Sequence, residues 1–211
     1  MEIMSYGSYI YHWPSKYDAV YWPYTASAYT RFSPISGYIA FGSDFLDISD
    51  EEKKRVAAFL KKSYDKEKAP KSHEERLDWL AKVYQAREAD DAFWLNYYCL
   101  RAYLSRGKPK QSKSFRQEAI KVAQRLARDA EPGFDKAKAI FVLGSYSHML
   151  GQKEQAQKHF AELKALKWKV ENPEEASTSE DVVAYFTKLA DALKSDEYEE
   201  EYFKHVEMEE E

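Results

Sequence analysis

The sequence predicts a mainly α-helical fold with a small aromatic-rich β or irregular segment at its start. Apolar residues recur at helical spacing over most of residues 49–193, with polar linkers between the helices. Ser49 and Ser72 are each followed three residues later by a glutamate, the pattern of a capping box at a helix start. Residues 1–48 contrast with this pattern, because proline and glycine break them into short pieces rich in tyrosine and tryptophan.

Residues 140–163 form the best-defined stretch, which is predicted to be two amphipathic helices joined by a tight turn. The first helix carries Leu143 and Gly144. The second carries Ala156 and, four residues later, Phe160, and together the four residues match the L-G…A-x3-F core of a tetratricopeptide repeat. The two small residues allow the helices to approach closely, while the leucine and the phenylalanine fill the space beside them. The chain is therefore predicted to be a tetratricopeptide-like array of helical hairpins.

The other predicted helices are degenerate relative to that hairpin. The helix from Asp91 to Leu104 has apolar residues on most of its faces, so we expect it to be the central buried helix. The segment RGKPKQSK, residues 106–113, is expected to be a loop. The full set of predicted helices covers residues 50–64, 73–84, 91–104, 114–130, the hairpin at 137–166 and a terminal capping helix at 179–193.

The composition changes along the chain and divides it into four parts. Residues 1–48 are the aromatic-rich segment, and residues 49–170 are the helical domain. Residues 171–195 are a linker and the capping helix, and residues 196–211 are an acidic tail. Within the first part, the predicted strands are Tyr9–His12, Ala19–Trp22 and Tyr38–Phe41.

Two serine pairs in the first part have the spacing of metal-ligand pairs. Ser5 and Ser8 are followed, after 24 residues, by Ser33 and Ser36 in the sequence SPISGY. Cysteine at these four positions would give CxxC…CPxCGY, a zinc-ribbon arrangement. A neutral serine hydroxyl is a poor zinc ligand, so we predict no metal and no cofactor. Three interpretations stay open: a degenerate ribbon that aromatic packing holds, serines introduced in place of cysteines, and coincidence in a serine-containing loop.

The order of segments resembles a group of bacterial proteins of unassigned activity, in which an N-terminal cysteine-pair segment precedes tetratricopeptide-like helices. The resemblance rests on SPISGY in place of CPxCGY, on the following residues Ala40-Phe41 and Asp44-Phe45, and on the helical region 73–163. It implies the same fold and no transferable activity. Because the cysteines are absent here, the metal role of the cysteine pairs does not carry over.

Composition and motifs argue against several classes of function. The chain has 211 residues and a single cysteine, Cys99, which excludes an internal disulfide and a cysteine-based metal site. No stretch approaches ~18 apolar residues and the N-terminus lacks a signal-peptide pattern, so we expect a cytoplasmic protein without membrane association. Nucleotide-binding, metalloprotease and serine-hydrolase motifs are absent and the five histidines are scattered, so we predict a protein that is not an enzyme.

Charge is distributed unevenly along the chain. Residues 51–170 carry 27 basic and 16 acidic side chains, a net charge of +11, whereas residues 171–211 carry 3 basic and 15 acidic ones, a net charge of −12. Between residues 101 and 128, nine basic side chains accompany a single acidic one, Glu118. A helical-repeat surface with such cations can clamp carboxylates. The predicted partner-binding residues are Arg101, Arg106, Lys113, Arg116, Lys121, Arg125 and Arg128.

The predicted function is a non-catalytic scaffold or adaptor that holds a segment of another protein, acidic segments included, in a basic helical groove. The alternative is a nucleic-acid-associated factor that uses residues 101–128 and the N-terminal aromatic residues. A solvated helix face without a partner would produce the same charges. For the acidic tail, one hypothesis is that it folds back onto the basic helices and competes with partners, and the other is that it only aids solubility.

Overall fold

Two short strands and seven α-helices make up the part of the chain that the computed structural model describes, residues 30–42, 44–105, 107–168 and 179–194. These residues fall into two units, which divide between Phe93 and Trp94. The elements are β1 (Thr30–Phe32), β2 (Ile39–Phe41), α1 (Asp50–Ser63), α2 (His73–Arg87), α3 (Asp91–Leu104), α4 (Pro109–Asp129), α5 (Phe134–Met149), α6 (Lys153–Ala165) and α7 (Ser179–Lys194). The predicted mainly helical fold is confirmed. A 3₁₀ turn at Lys66–Lys68 lies between α1 and α2.

The first unit packs an antiparallel hairpin, β1–β2, against α2, which also packs against α1. Thr30 lies opposite Phe41 in this hairpin. Both Ile39 and Ala40 are fully buried, as are the α2 residues Leu80 and Val83. The strand predicted at Tyr38–Phe41 is confirmed as β2, whereas those predicted at residues 9–12 and 19–22 lie outside the described residues.

Both predicted capping boxes are present. The Oγ atom of Ser49 accepts a hydrogen bond from the Glu52 amide at 3.2 Å, and a Glu52 carboxylate oxygen accepts one from the Ser49 amide at 2.9 Å. Ser72 and Glu75 repeat the exchange at the start of α2. Each box satisfies amide donors that the first turn of a helix leaves without intrahelical partners. This local chemistry fixes where α1 and α2 begin.

In the second unit the central helix is α5, and not α3 as expected from the sequence. Residues 139–147 of α5 are all buried, and α5 packs against α4, α6 and α7. The aromatic helix α3 keeps Trp94 and Tyr98 half-buried and Leu104 exposed. The physical reason is side-chain size. The alanine, glycine and serine residues of α5 let neighbouring helices approach from several sides, whereas the large rings of α3 prevent so close an approach.

The hairpin of α5 and α6 is built around a contact between Gly144 and Phe160. A Cβ atom added at Gly144 would lie 2.4 Å from the Phe160 ring, closer than any two carbon atoms pack. Gly151 turns the chain between the two helices with a φ of +79°, a conformation that glycine adopts without strain. The predicted close approach of the two helices and their glycine turn are therefore confirmed.

The expected loop at residues 106–113 is wrong over most of its length, because α4 begins at Pro109. Proline is favoured at the first position of a helix, where its ring sets the required φ and its missing N–H needs no partner. One turn later the buried Ser112 donates a hydrogen bond from Oγ to the Ala102 carbonyl at 2.9 Å, which ties the start of α4 to α3. The helix predicted at residues 179–193 is confirmed as α7.

We expect Gly144→Ala to lower the free energy of unfolding by about 1–3 kcal/mol, because the new methyl group must displace the Phe160 ring. Chemical denaturation followed by circular dichroism measures the change. Gly107→Ala is the matched control, since a Cβ there meets nothing within 4 Å, and its effect should stay within about 1 kcal/mol. Equal stability of the two variants would contradict the packing described for the hairpin.

Glu52 joins the capping box of α1 to Arg87 on α2 through a 2.9 Å ion pair. The hydrogen bond from the Ser49 amide and then that from Arg87 lower the pKa of Glu52 to about 2. A carboxylate with a depressed folded-state pKa stabilises the fold above its unfolded pKa, and this contribution is lost as the pH falls from about 4.5 towards 2.

Accordingly, Glu52→Gln should flatten the acid-induced loss of stability between pH 5 and about pH 2, because glutamine can still accept the capping bond but does not titrate. Denaturant unfolding at several pH values in this range measures it. Glu51→Gln, an exposed neighbour in the same helical turn, is the control and should keep the wild-type slope. If Glu52→Gln also kept the wild-type dependence of stability on pH, the Glu52 carboxylate would not be responsible for the loss of stability in acid.

Candidate binding surface

Helix α4 has one apolar face and one basic face. Its buried residues Ser112, Ala119, Val122 and Ala123 recur at helical spacing on one side. Because a helix turns once every 3.6 residues, cations three, four and eleven residues apart lie together on the other side. These exposed cations, which we name the α4 basic face, are Lys110, Lys113, Lys121, Arg125 and Arg128.

Two carboxylates already lie beside this face. The Lys121 ammonium group is 2.7 Å from a Glu118 oxygen, and the Arg128 guanidinium is 2.6 Å from an Asp129 oxygen. The hydrogen bond from Arg128 lowers the pKa of Asp129. Water screens such exposed pairs, so a partner carboxylate can exchange with them at little cost. Lys110 and Lys113 make no ion pair within the described part of the chain.

An aromatic side chain of α3, Tyr98, lies within electrostatic range of the middle of the α4 basic face. Burial raises the pKa of Tyr98, Glu118 adds to the rise, and the positive charges of Arg125 and Lys121 oppose it. The phenol therefore lies within electrostatic range of three charged residues of α4. Tyr98 also packs near Trp94, with ring centroids 5.9 Å apart. Sequence reasoning did not select Tyr98, because nothing in the aromatic run from 93 to 103 indicates which ring lies beside α4.

Arg101 is not part of the exposed surface, which corrects the prediction for this residue. Its side chain is only 3% exposed. Its Nη1 donates a hydrogen bond to the Tyr97 hydroxyl at 2.9 Å, and its guanidinium lies 4.4 Å from the centre of the Phe115 ring. Because Phe115 belongs to α4, Arg101 takes part in packing α3 against α4.

The other predicted binding residues divide into three groups. Lys113, Lys121, Arg125 and Arg128 lie together on the α4 basic face. Arg116 is half-buried and its Nε atom is buried, so it contributes less to the accessible charge. Arg106 lies outside the described residues, as does the acidic tail. The exposed residues of the predicted site therefore lie together on the solvent side of one helix, α4.

Metal and thiol chemistry find little support among the described residues. No group of three or more histidine, cysteine, aspartate or glutamate side chains there could hold a metal ion. Burial raises the pKa of the Cys99 thiol to about 12, so it stays protonated. His159 packs with its Nδ1 3.5 Å from a Glu162 oxygen on the same helix.

The first unit contains an open depression of about 480 Å³ beside Trp79. Ala69 and Pro70 form an apolar edge, and three acidic and three basic residues surround it. A hydrogen bond fixes the Trp79 indole, because its Nε1 donates to the Gly37 carbonyl at 2.7 Å. Because acidic and basic residues are equal in number around it, this depression does not favour a charged ligand. The α4 basic face, by contrast, favours negatively charged ligands.

We expect Arg101→Ala to lower the free energy of unfolding by about 2–3 kcal/mol, because it leaves a cavity and a buried tyrosine hydroxyl without this donor. Lys121→Ala, on the exposed face of α4, should change it by less than about 0.5 kcal/mol. Thermal and denaturant unfolding of both variants test the difference. A stability for Arg101→Ala equal to that of the wild type would instead place Arg101 among the surface residues.

Among the described residues, no helix combines the length and apolar character that a bilayer span requires. No protein-family model matches the chain, and no curated protein or solved structure matches it significantly. Its function is therefore inferred from its own residues.

Proposed function

We propose that the chain is a non-catalytic scaffold of tetratricopeptide-like helices that binds an acidic segment of a partner protein on the α4 basic face. One observation carries this proposal: five cations are exposed together on one side of a helix whose other side is anchored in the core. The surface is therefore charged and rigid at once, which reduces the entropy that binding costs.

The packing of the second unit supports the repeat-like architecture. Helix α5 packs against α4, α6 and α7, as the shared inner helix of stacked hairpins would. Gly144 meets the Phe160 ring at the positions where a tetratricopeptide repeat has its own glycine and phenylalanine. Stacked hairpins of this kind present long continuous surfaces to extended segments of other proteins.

The chemistry of the surface suits carboxylates. Lysine and arginine side chains form charge-assisted hydrogen bonds with aspartate and glutamate, and arginine does so with two parallel bonds. Because the cations are exposed, they increase the rate of encounter with an acidic segment, and salt weakens the interaction. Glu118 and Asp129 on the same surface disfavour partners that place carboxylates beside them, which adds selectivity.

A nucleic-acid partner is the second candidate, and the position of Tyr98 favours it. An aromatic ring next to lysine and arginine is the combination that single-stranded nucleic acids bind, with the base stacked on the ring and the phosphate near the cations. The two candidates differ in salt dependence. Phosphate binding weakens steeply with salt and extends to many sequences, whereas an acidic protein segment should be distinguished from its scrambled forms.

The test replaces three cations of the face in one variant, Lys113→Glu with Lys121→Glu and Arg125→Glu. The control reverses three exposed lysines of α6 and the segment after it, Lys153→Glu with Lys158→Glu and Lys167→Glu, and changes the net charge equally. The probes are a fluorescent glutamate- and aspartate-rich peptide and a single-stranded oligonucleotide, each titrated at several salt concentrations. Circular dichroism is used to check that both variants fold.

We expect the face variant to bind the acidic peptide at least about tenfold more weakly than the control, since three exposed charge pairs contribute roughly 0.5 kcal/mol each. Equal affinities of the two variants for the peptide would refute the α4 basic face as the binding surface. Preference for the oligonucleotide, with a steep salt slope that the face variant lacks, would support the nucleic-acid candidate instead.

A further inference from the structure

Helix α7 has an exposed stripe on the side opposite its core residues. Phe186, Leu189 and Ala190 are buried, and α7 packs against α5 and α6. Because a helix turns once every 3.6 residues, positions spaced by three, four and seven residues lie along one line of its surface. The exposed residues on the line opposite the core, which we name the α7 stripe, are Asp181, Ala184 and Lys188. The stripe therefore carries an acid and a base seven residues apart, with a small residue between them.

The two other exposed acids among the described residues of α7 have partners within the chain. The Asp191 carboxylate lies 3.8 Å from the Lys164 ammonium group of α6, and Glu180 accepts a hydrogen bond from the Ser179 hydroxyl at 3.1 Å. Lys188, by contrast, makes no ion pair with any residue that the structure describes. The basic end of the α7 stripe is therefore accessible to a carboxylate from outside the chain.

Aromatic rings lie next to the stripe on the surface of the second unit. Tyr185, the neighbour of Ala184, is 51% exposed, and Phe134 at the start of α5 is 53% exposed. Both rings contact the buried ring of Phe186, with centroids 5.5 and 5.7 Å from its own. Phe186 in turn stacks on Phe141 of α5 at 5.0 Å, so the space beneath the exposed rings is already filled. Single exposed apolar side chains are common, whereas clustered ones mark contact surfaces.

The α7 stripe is complementary to itself in one orientation. In a two-fold symmetric pair of antiparallel helices centred between Ala184 and Tyr185, each residue faces the one that lies equally far on the other side of the centre. Asp181 of one copy then faces Lys188 of the other, and the symmetry repeats this ion pair. Tyr185 lies beside its own counterpart near the axis, and the small Ala184 lets the two helices approach closely. A parallel pair would place like charges opposite each other, which is unfavourable.

We propose that α7 is a docking surface for a second copy of this chain, which binds it as an antiparallel helix pair with two Asp181–Lys188 ion pairs. Tyr185 supplies apolar contact area at the centre, and Phe134 extends that area towards α5. The charges select the antiparallel orientation. A contact made by one helix from each copy buries less than about 1,200 Å² in total, so the dimer is weak and forms as the protein concentration rises.

The experiment measures the dimer dissociation constant of the full-length protein by sedimentation velocity over about 1–300 µM. Lys188→Glu turns both ion pairs into like-charge pairs, and Lys158→Glu on the exposed side of α6 is its control, because it changes the net charge equally. Asp181→Lys reverses the other member of each ion pair, with Glu154→Lys of α6 as its control. Circular dichroism is used to check that every variant folds.

We expect a concentration-dependent dimer for the wild type. The dissociation constant of Lys188→Glu should be at least about tenfold higher than that of Lys158→Glu, because the symmetry applies each substitution twice. A mixture of Lys188→Glu and Asp181→Lys should dimerise again, since opposite charges then face each other at both positions. A wild type that stays monomeric over the whole range would overturn the proposal. So would equal dissociation constants for Lys188→Glu and its control, or a mixture that dimerises no better than its two components.

Tyr185→Ala tests the apolar part of the same interface. Leu46→Ala is its control, because it removes a side chain that is 85% exposed in the first unit. The dimer of the Tyr185→Ala variant should dissociate at least about fivefold more readily than that of the control, since aromatic residues at the centre of an interface contribute much of its affinity. Equal dissociation constants would overturn an antiparallel pair centred at Tyr185.

Discussion

The second unit depends on how closely its helices can approach α5. Nine consecutive α5 residues are buried, and this is compatible with helical geometry only because several of them are small. At Gly144 the ring of Phe160 fills the volume that a side chain would take, and the preceding Leu143 is buried. Helix α4 packs against α5, and its Ala119 and Ala123 are both fully buried. That anchoring leaves the cations of α4 in solvent, so the candidate binding surface follows from the packing of a helix next to it.

The first unit is stabilised differently, by large aromatic side chains that also carry hydrogen-bonding groups. Tyr84 donates from its hydroxyl to Asp44 at 2.7 Å, and its ring stacks on Phe93 at 4.0 Å between centroids. Tyr64 and Trp79 bond to backbone carbonyls of the β1–β2 turn. Each ring thus contributes apolar contact area and forms a hydrogen bond at once. A short hairpin gains from its helices the support that two strands alone do not provide.

The cations predicted for the binding site differ more in their surroundings than in their chemistry. Arg101 lies between aromatic rings, whereas Lys121 and Arg125, on the neighbouring helix, are exposed within electrostatic range of Tyr98. Counting charges along the sequence gives these residues equal weight. Their helical positions separate them in part, since Lys121 and Arg125 are four residues apart and share a face. Arg101, however, belongs to α3, and no periodicity within α4 can show that Phe115 covers it.

Sequence alone determined the features that local hydrogen bonds or a recognisable residue motif specify. Both capping boxes, the limits of α3, and the Gly144–Phe160 hairpin were predictable because local hydrogen bonds and turn geometry decide them. Tertiary structure decided which helix is central, that α4 extends back to Pro109, and which cations are buried. These outcomes depend on contacts between residues far apart in the chain, whose free energies no local pattern contains.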